Sequence, residues 1–233
     1  WTTLDGKVFA MPAAAVSHGI YYNQKIFKDN GIAVPTTWED LIAAAKKLKA
    51  KNITPFANGL KDEWDICEVV FQALAPSFVG GAEGRLAYEA GKKAFNDKDM
   101  VSAFQAIADL VPYLPNGFQG VDYNAAHALF TMGKAAMLFD GSWTIADIVK
   151  AGPAFDWSVF AVPAPKGKKT VPTFHPDWAV SINPASKNIA AAKTFLTWLS
   201  GPEGAKAIGD NLTGFFPMSK NAITLQDKYA NAF

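Results

Sequence analysis

The sequence predicts an α/β fold, and three observations carry that expectation. Short strand-like runs alternate with segments of helical period along the chain. Of the 233 residues, 50% are hydrophobic and 18% charged, enough apolar material for a sizeable core. Turn dipeptides and prolines punctuate the alternation, and neither an internal repeat nor a low-complexity segment interrupts it.

In order, Trp1-Thr2-Thr3-Leu4 opens the chain, and Asp5-Gly6 is a hairpin dipeptide before a strand pattern over residues 7–11. A short strand is expected at 20–23. Thr37 caps a helix, with Asp40 three residues on as its capping-box partner, and Trp38, Leu41, Ile42, Ala45 and Leu48 share one face. Residues 54–58 read as a strand ending in Asn58-Gly59, and a helix follows over about 65–75. Gly80-Gly81 and Gly84 mark a flexible surface loop. A helix starting near Asn96 or Asp97 should bury Met100, Phe104, Ile107 and Val111, and one over 123–132 should turn Ala125, Ala128 and Leu129 inward. Residues 134–140 form a buried strand, with a helix from Thr144. Strands are expected at 157–162 and 178–182. A strong helix then carries Ala191, Phe195, Trp198 and Leu199 at helical spacing, and Gly201-Pro202-Glu203 breaks it and starts a short one.

Charge narrows the function classes. Formal net charge is +1 with acids and bases mixed, so no basic stripe points to nucleic acid. No apolar run approaches the ~18 residues of a membrane span. The single cysteine, Cys67, has no partner at metal-ligand spacing, and its apolar flanks predict a small buried residue. There is no phosphate loop, dinucleotide fingerprint or nucleophile elbow. His18, His127 and His175 are too scattered for a zinc site, and His127, mid-helix among alanines, reads as packed or surface-exposed. Asp62-Glu63 and Asp65 cluster, but nothing in the pattern sets a second acid opposite them as a glycosidase requires; Asp140 and Asp177 qualify only by elimination. No metal and no cofactor is expected.

The informative signal is aromatic residues at loop tips. Trp64 lies in Lys61-Asp62-Glu63-Trp64-Asp65, Trp143 follows Gly141-Ser142 at a strand end, Trp178 follows His175-Pro176-Asp177, and Phe215-Phe216 follows Gly214. An aromatic face beside a polar group suits a sugar, whose C–H faces pack on the ring while its hydroxyls take hydrogen bonds. Open α/β sheets bind ligands past the strand carboxyl ends. The alternative for each residue is that it packs its own loop. Trp38, Trp157 and Trp198 fit core patterns instead.

Several stretches together resemble the extracellular solute-binding proteins of ATP-binding-cassette sugar importers, the group that includes the maltose-binding protein. They are Asp5-Gly6-Lys7-Val8-Phe9-Ala10-Met11-Pro12 with Tyr22-Asn23; Pro35-Thr36-Thr37-Trp38-Glu39-Asp40-Leu41; Phe130-Thr131-Met132-Gly133-Lys134-Ala135-Ala136-Met137 with Gly141-Ser142-Trp143; and Ala191-Ala192-Lys193-Thr194-Phe195-Leu196-Thr197-Trp198-Leu199. Each is weak alone, but their order covers nearly the whole chain.

The resemblance implies a type II periplasmic-binding-protein fold, in which two lobes hold ligand in a cleft. On that plan residues 1–17 are first-lobe and hinge strands, 18–208 a nearly complete second lobe, and 209–233 a return into the first lobe. The opening and the ending without recognisable start or stop signals are then expected to mark a piece of a longer protein, truncated at both ends, its signal peptide removed. Ligand contacts implied by position are Trp143, Trp64, Glu63, Asp177, Trp178, His175, Ser17, His18 and Phe216. Val16 departs from the maltose-binding pattern, which has an acid nearby, so that protein's specificity does not carry over.

The implied function is capture of a carbohydrate and its delivery to the membrane permease subunits of an importer, without catalysis. The implied location is periplasmic or extracellular, with a lipid anchor possible in the full-length protein. The alternatives are a non-sugar solute (polyamine, glycerol phosphate or oligopeptide) on the same fold, or a glycoside hydrolase fragment. A phosphate ligand would want clustered cations, and Arg85, the only arginine, sits among glycines.

Overall fold

The computed structural model describes residues 5–220, 224, 225 and 227–232; the opening Trp1-Thr2-Thr3-Leu4 and the final Phe233 lie outside the described residues. The chain forms two compact units. The larger comprises His18–Gly141 and Asp147–Thr173; the smaller has the described residues up to Ser17, Ser142–Ala146, and those from Phe174 to Asn231.

One strand, β1 (Met11–Asn23), runs through both units, longer than the short strand expected at 20–23. Ten of its thirteen residues are buried, Ala13–Tyr21 without a break and then Asn23, so strand pairing and apolar cover on both faces hold it extended. Residues 7–11, expected as a strand, enter it only at Met11.

In the larger unit, β1 leads into α1 (Gln24–Asp29), which Asn23 caps by accepting the Ile26 N–H at 2.9 Å. Helix α2 (Trp38–Lys49) starts on the expected capping box: Thr37 Oγ1 accepts the Asp40 N–H and Asp40 accepts the Thr37 N–H, each at 3.1 Å. Strand β2 (Thr54–Phe56) follows. A π-helical stretch, Asp65–Val70, runs into α3 (Phe71–Val79), α4 (Gly81–Glu89), α5 (Lys98–Leu110) and α6 (Tyr123–Thr131). Strand β3 (Ala135–Gly141), α7 (Ile145–Ala151) and β4 (Trp157–Phe160) complete the order. The sheet order is β2-β3-β1-β4. Strands β1 and β3 are antiparallel with Tyr21 opposite Leu138, β1 and β4 antiparallel with Tyr21 opposite Val159, and β2 and β3 parallel with Phe56 opposite Met137. Every residue of β3 is buried, Phe139 among them, as are Phe56 in β2 and Leu41, Leu48, Leu74 and Phe130 on the helices. Each such side chain contributes about 1.5–3 kcal/mol on burial.

In the smaller unit the first half of β1 is flanked by β5 (Phe174–Val180) and by β6 (Phe216–Pro217), both antiparallel to it. Helices α8 (Ile189–Ser200) and α9 (Pro202–Asn211) pack there, where Ala13, Ala14, Leu199 and Ile208 form a cluster joined by Met11, Val180, Leu196 and Phe215.

Five expectations are corrected. Gly80, Gly81 and Gly84 do not form a loop. Gly80, at φ +92°, ends α3 in the left-handed region, and α4 begins at the next residue; a Cβ on Gly84 would lie 1.8 Å from the Val79 carbonyl oxygen, so glycine is what lets the two helices meet. Cys67 is exposed, because the stretch after Asp65 buries Asp65, Val69 and Val70 and leaves Cys67 on the opposite face. The buried face of α5 is rotated: Met100, Ala103, Ala106 and Leu110 are inside, while Phe104 is exposed and stacks on Phe71 with ring centroids 5.1 Å apart. Likewise α6 buries Ala126 and Phe130 rather than the expected alanines and leucine. Trp38 and Trp157 are buried as expected, but Trp198 is 42% exposed; it lies against Phe195 and its Nε1 donates to Glu203 at 3.2 Å.

Candidate functional site: two sets of aromatic and polar side chains

The larger unit assembles its set past the carboxyl ends of the parallel strands β2 and β3. Just beyond β2, the Ala57 N–H donates to the Met137 carbonyl at 2.8 Å and extends the ladder. Asn58 then continues it with its side chain. Its Oδ1 accepts the Phe139 N–H at 2.9 Å and its Nδ2 donates to the Phe139 carbonyl at 3.0 Å. The same amide reaches the Asp65 carboxyl at 3.2 Å. Asn58 is 1% exposed, so these bonds satisfy a buried amide that would otherwise be costly.

Asp140, near the end of β3, is fully buried. Its Oδ1 accepts its neighbour Gly141 N–H at 2.7 Å and the Tyr123 hydroxyl at 3.2 Å, and its Oδ2 meets His127 Nε2 at 2.5 Å. Tyr123 and His127 are four residues apart on α6 and so share a face. Asp122 caps that helix by accepting the Ala125 N–H at 2.9 Å, and Lys61 pairs with it at 2.9 Å. Asp62 accepts the Tyr123 N–H at 2.8 Å, which ties the 60s loop to α6.

Above the buried carboxyl the rings form a ladder. Trp64 and Tyr123 have centroids 4.7 Å apart, and Tyr123 and His127 4.1 Å. Trp64 is 39% exposed and Glu63 beside it is exposed. Beneath, burial pushes the Asp65 carboxyl up to about 7; the nearby Asp140 charge adds to the rise, while the Asn58 amide, the Gly59 N–H and His127 oppose it. His18, also in this unit, is 3% exposed, with Nδ1 3.4 Å from the Val69 carbonyl.

The smaller unit gathers the remaining sequence-derived residues around the first half of β1. In register, Trp178 lies opposite Ala14, His175 opposite Val16 and Phe174 opposite Ser17 on one side, with Phe216 opposite Ala15 on the other. The Phe174 and Phe216 rings are 5.7 Å apart. Asp177 and Trp178 are exposed; Trp143 and Phe216 are half-buried. Ser142 anchors the turn that carries Trp143: its Oγ accepts the Ser17 N–H at 3.1 Å and donates to the Gly214 carbonyl at 2.5 Å.

Sequence reasoning singles out Trp64, Trp143, Trp178 and Phe216 for their place at loop tips. It did not assign Tyr123, His127, Asn58, Asp65 or Asp140 to a site. The available signals were the spacing of Tyr123 and His127 and the position of Asp140 at the end of a buried strand. Among the described residues, no group of three or more His, Cys, Asp or Glu side chains is placed to hold a metal ion. Chemically, exposed ring faces backed by buried acceptors fit a neutral, hydroxyl-rich ligand with apolar faces.

Comparison with known proteins identifies relatives of the chain. The family model for the bacterial extracellular solute-binding protein matches residues 1–206. The multiple sugar-binding protein of Streptococcus mutans is 31% identical over 205 residues, which cover 84% of this chain and 48% of that protein. A structure from work on xylan utilization by Caldanaerobius polysaccharolyticus superimposes with TM-score 0.84 at 26% identity, covering 99% of this chain and 61% of that one. The solute-binding protein RafE, solved in complex with raffinose, gives TM-score 0.76 at 26% identity over 95% of this chain and 59% of its own. The chain spans about half the length of that curated relative. Its α/β fold is the type II fold of these neighbours, and the chain belongs to the bacterial extracellular solute-binding proteins.

Proposed function

We propose that the chain is the ligand-holding part of a solute-binding protein that captures a carbohydrate outside the cytoplasmic membrane and passes it to the permease subunits of an ATP-binding-cassette importer. The ring ladder of Trp64, Tyr123 and His127 over the buried Asp140 carries this reading. The exposed face of Trp64 packs on sugar C–H groups, and Glu63 takes hydroxyl hydrogen bonds beside it. In the smaller unit Trp143 offers a stacking face of its own, and Ser17, His175, Asp177, Trp178 and Phe216 are further contacts there; His18 is a contact carried by the larger unit. No covalent step is involved, so oligosaccharides and aryl-glycosides are bound without turnover.

The family resemblance adds lobe boundaries at 1–17, 18–208 and 209–233 to the proposal. The compact units also divide the chain after Ser17, but they group the residues between Phe174 and position 208 with those of the chain's start.

The sugar reading is favoured over an anionic solute by local charge. The acids Asp62, Glu63 and Asp140 lie around the ring ladder, and the nearby cation Lys61 is engaged with Asp122. An anion placed there would meet like charge.

The experiment is isothermal calorimetry on the full-length protein with a panel of mono- and oligosaccharides, glycerol 3-phosphate and polyamines, alongside Trp143→Ala. Binding of a sugar that Trp143→Ala weakens more than tenfold supports the proposal. Binding confined to glycerol 3-phosphate or a polyamine, or turnover of an aryl-glycoside, rejects it.

A further inference from the structure

Asp65 and Asp140 are 2% and 0% exposed, and both bear on the floor of the ring ladder. Their hydrogen bonding is unequal. Asp140 accepts from Gly141, Tyr123 and His127. Asp65 accepts from the Asn58 amide at 3.2 and 3.4 Å and from the Gly59 N–H, all neutral donors.

The charged and titratable groups around the pair are few. The 60s loop brings Lys61, Asp62 and Glu63, and the stretch that starts at Asp65 brings Glu68. Helix α6 brings Asp122 at its cap, then Tyr123 and His127, β3 brings Asp140, and β1 brings His18, whose Nδ1 faces the Val69 carbonyl at 3.4 Å. Lys61 is paired with Asp122 and His18 faces a backbone carbonyl, so the His127 imidazole is the cation-forming group that meets a carboxyl of the pair, its Nε2 on Asp140. Two buried carboxylates therefore share one imidazole. If both ionise, the cluster keeps an excess negative charge in a poorly solvated place even when His127 is protonated.

We propose that Asp65 is a proton-carrying positioning residue: in the folded protein it keeps its proton in neutral-to-mildly-acidic medium, and in that form it seats Trp64, the residue joined to its own backbone nitrogen, on Tyr123. The seat has two attachments. Asp62 fixes the loop to α6 through the Tyr123 N–H, and the Asp65 N–H donates to the Asp62 carbonyl at 3.0 Å. Asp65 itself ties the loop to Asn58 at the β2 end. When Asp65 ionises, the nearby Asp140 charge repels it against the pull of the Asn58 amide, and that repulsion strains the second attachment. Burial and the Asp140 charge both act on Asp65 in this direction.

The proton and the seat of Trp64 stand apart from any sugar; only an effect on ligand affinity would rest on the proposed function. The test therefore uses the ligand-free full-length protein. Carboxyl carbon-13 NMR on the wild type, with Asp65→Asn to assign the resonance, is expected to show one aspartate titrating two or more pH units above the ordinary range. 5-Fluorotryptophan fluorine-19 NMR, with Trp64→Phe for assignment, is expected to show the Trp64 signal moving with the same midpoint and standing still in Asp65→Asn. Asp140→Asn, which keeps an acceptor for Tyr123 but removes the charge, is expected to move that midpoint down by one unit or more. Wild-type aspartates of which none titrates above the ordinary range overturn the proposal even if neither variant folds. A Trp64 signal that ignores the Asp65 midpoint overturns its positioning role.

Discussion

Gly214 lies against Ser142 so closely that a Cβ on the glycine would sit 1.8 Å from the Ser142 carbonyl oxygen, while Ser142 Oγ donates to the Gly214 carbonyl at 2.5 Å. The backbone of Gly214 is also at φ +85°, a region that costs other residues free energy. Gly214→Ala therefore suffers twice, from strain and from a clash with rigid backbone. The expected loss is about 2–5 kcal/mol, read as a lower urea midpoint with an unchanged slope. Because Ser142 also holds the Ser17 N–H, the turn that carries Trp143 should shift with it, seen as a change in near-ultraviolet circular dichroism. A Gly214→Ala protein as stable as the wild type would contradict this packing.

Asp99 makes stability acid-sensitive. Its carboxylate accepts Lys93 Nζ at 2.8 Å and Lys168 Nζ at 2.9 Å, and these two charged hydrogen bonds hold it down at about 2. A depressed carboxyl binds fewer protons folded than unfolded, so its contribution is present above the ordinary aspartate range and is lost as pH falls from about 4 to about 2. Asp99→Asn should destabilise the chain at pH 7 and make no difference at pH 2. Equilibrium denaturation at the two pH values checks the sign; an equal effect at both would mean that the ion pairs contribute nothing.

Asn58→Ala should be among the more damaging single changes in the larger unit. It removes both bonds that pair Asn58 with the Phe139 backbone and leaves a buried N–H and carbonyl without those partners. The expected cost is about 2–4 kcal/mol, measured by chemical denaturation. Amide hydrogen exchange should accelerate at Phe139 more than at Leu138, whose strand pairing with Tyr21 is intact. Equal exchange at the two would show that the side chain does not extend the ladder.

The elements most visible in the sequence were those with a local cause. The capping box at Thr37 and Asp40 and the buried strand Ala135–Gly141 appear where their patterns place them. What was hidden depends on contacts between distant residues. Gly84 looks like a loop glycine until Val79 is placed against it, and Phe104 looks like core until a rotation of α5 turns Ala103 and Ala106 inward. The ring ladder shows the same division. Trp64 is conspicuous beside charged residues, but its support comes from positions 123, 127 and 140, which only the fold brings to it. A lone histidine among alanines carries no local sign that a buried carboxylate waits 13 positions later.

Tyr123 separates the two duties of that ladder. Its hydroxyl donates to Asp140 at 3.2 Å, and its ring lies between Trp64 and His127. Tyr123→Phe removes the first and keeps the second. Asp140 Oδ1 still accepts the Gly141 N–H, so the expected loss is about 1 kcal/mol of stability. If the exposed ring face is what a sugar meets, affinity for the best carbohydrate ligand should change less than threefold in Tyr123→Phe. Trp64→Ala, which deletes the face itself, should weaken the same ligand tenfold or more while costing little stability, because Trp64 is 39% exposed. Calorimetric titration of both variants with one oligosaccharide decides the matter: a larger loss in Tyr123→Phe than in Trp64→Ala would place recognition in the hydroxyl and its carboxylate rather than in the stacked ring.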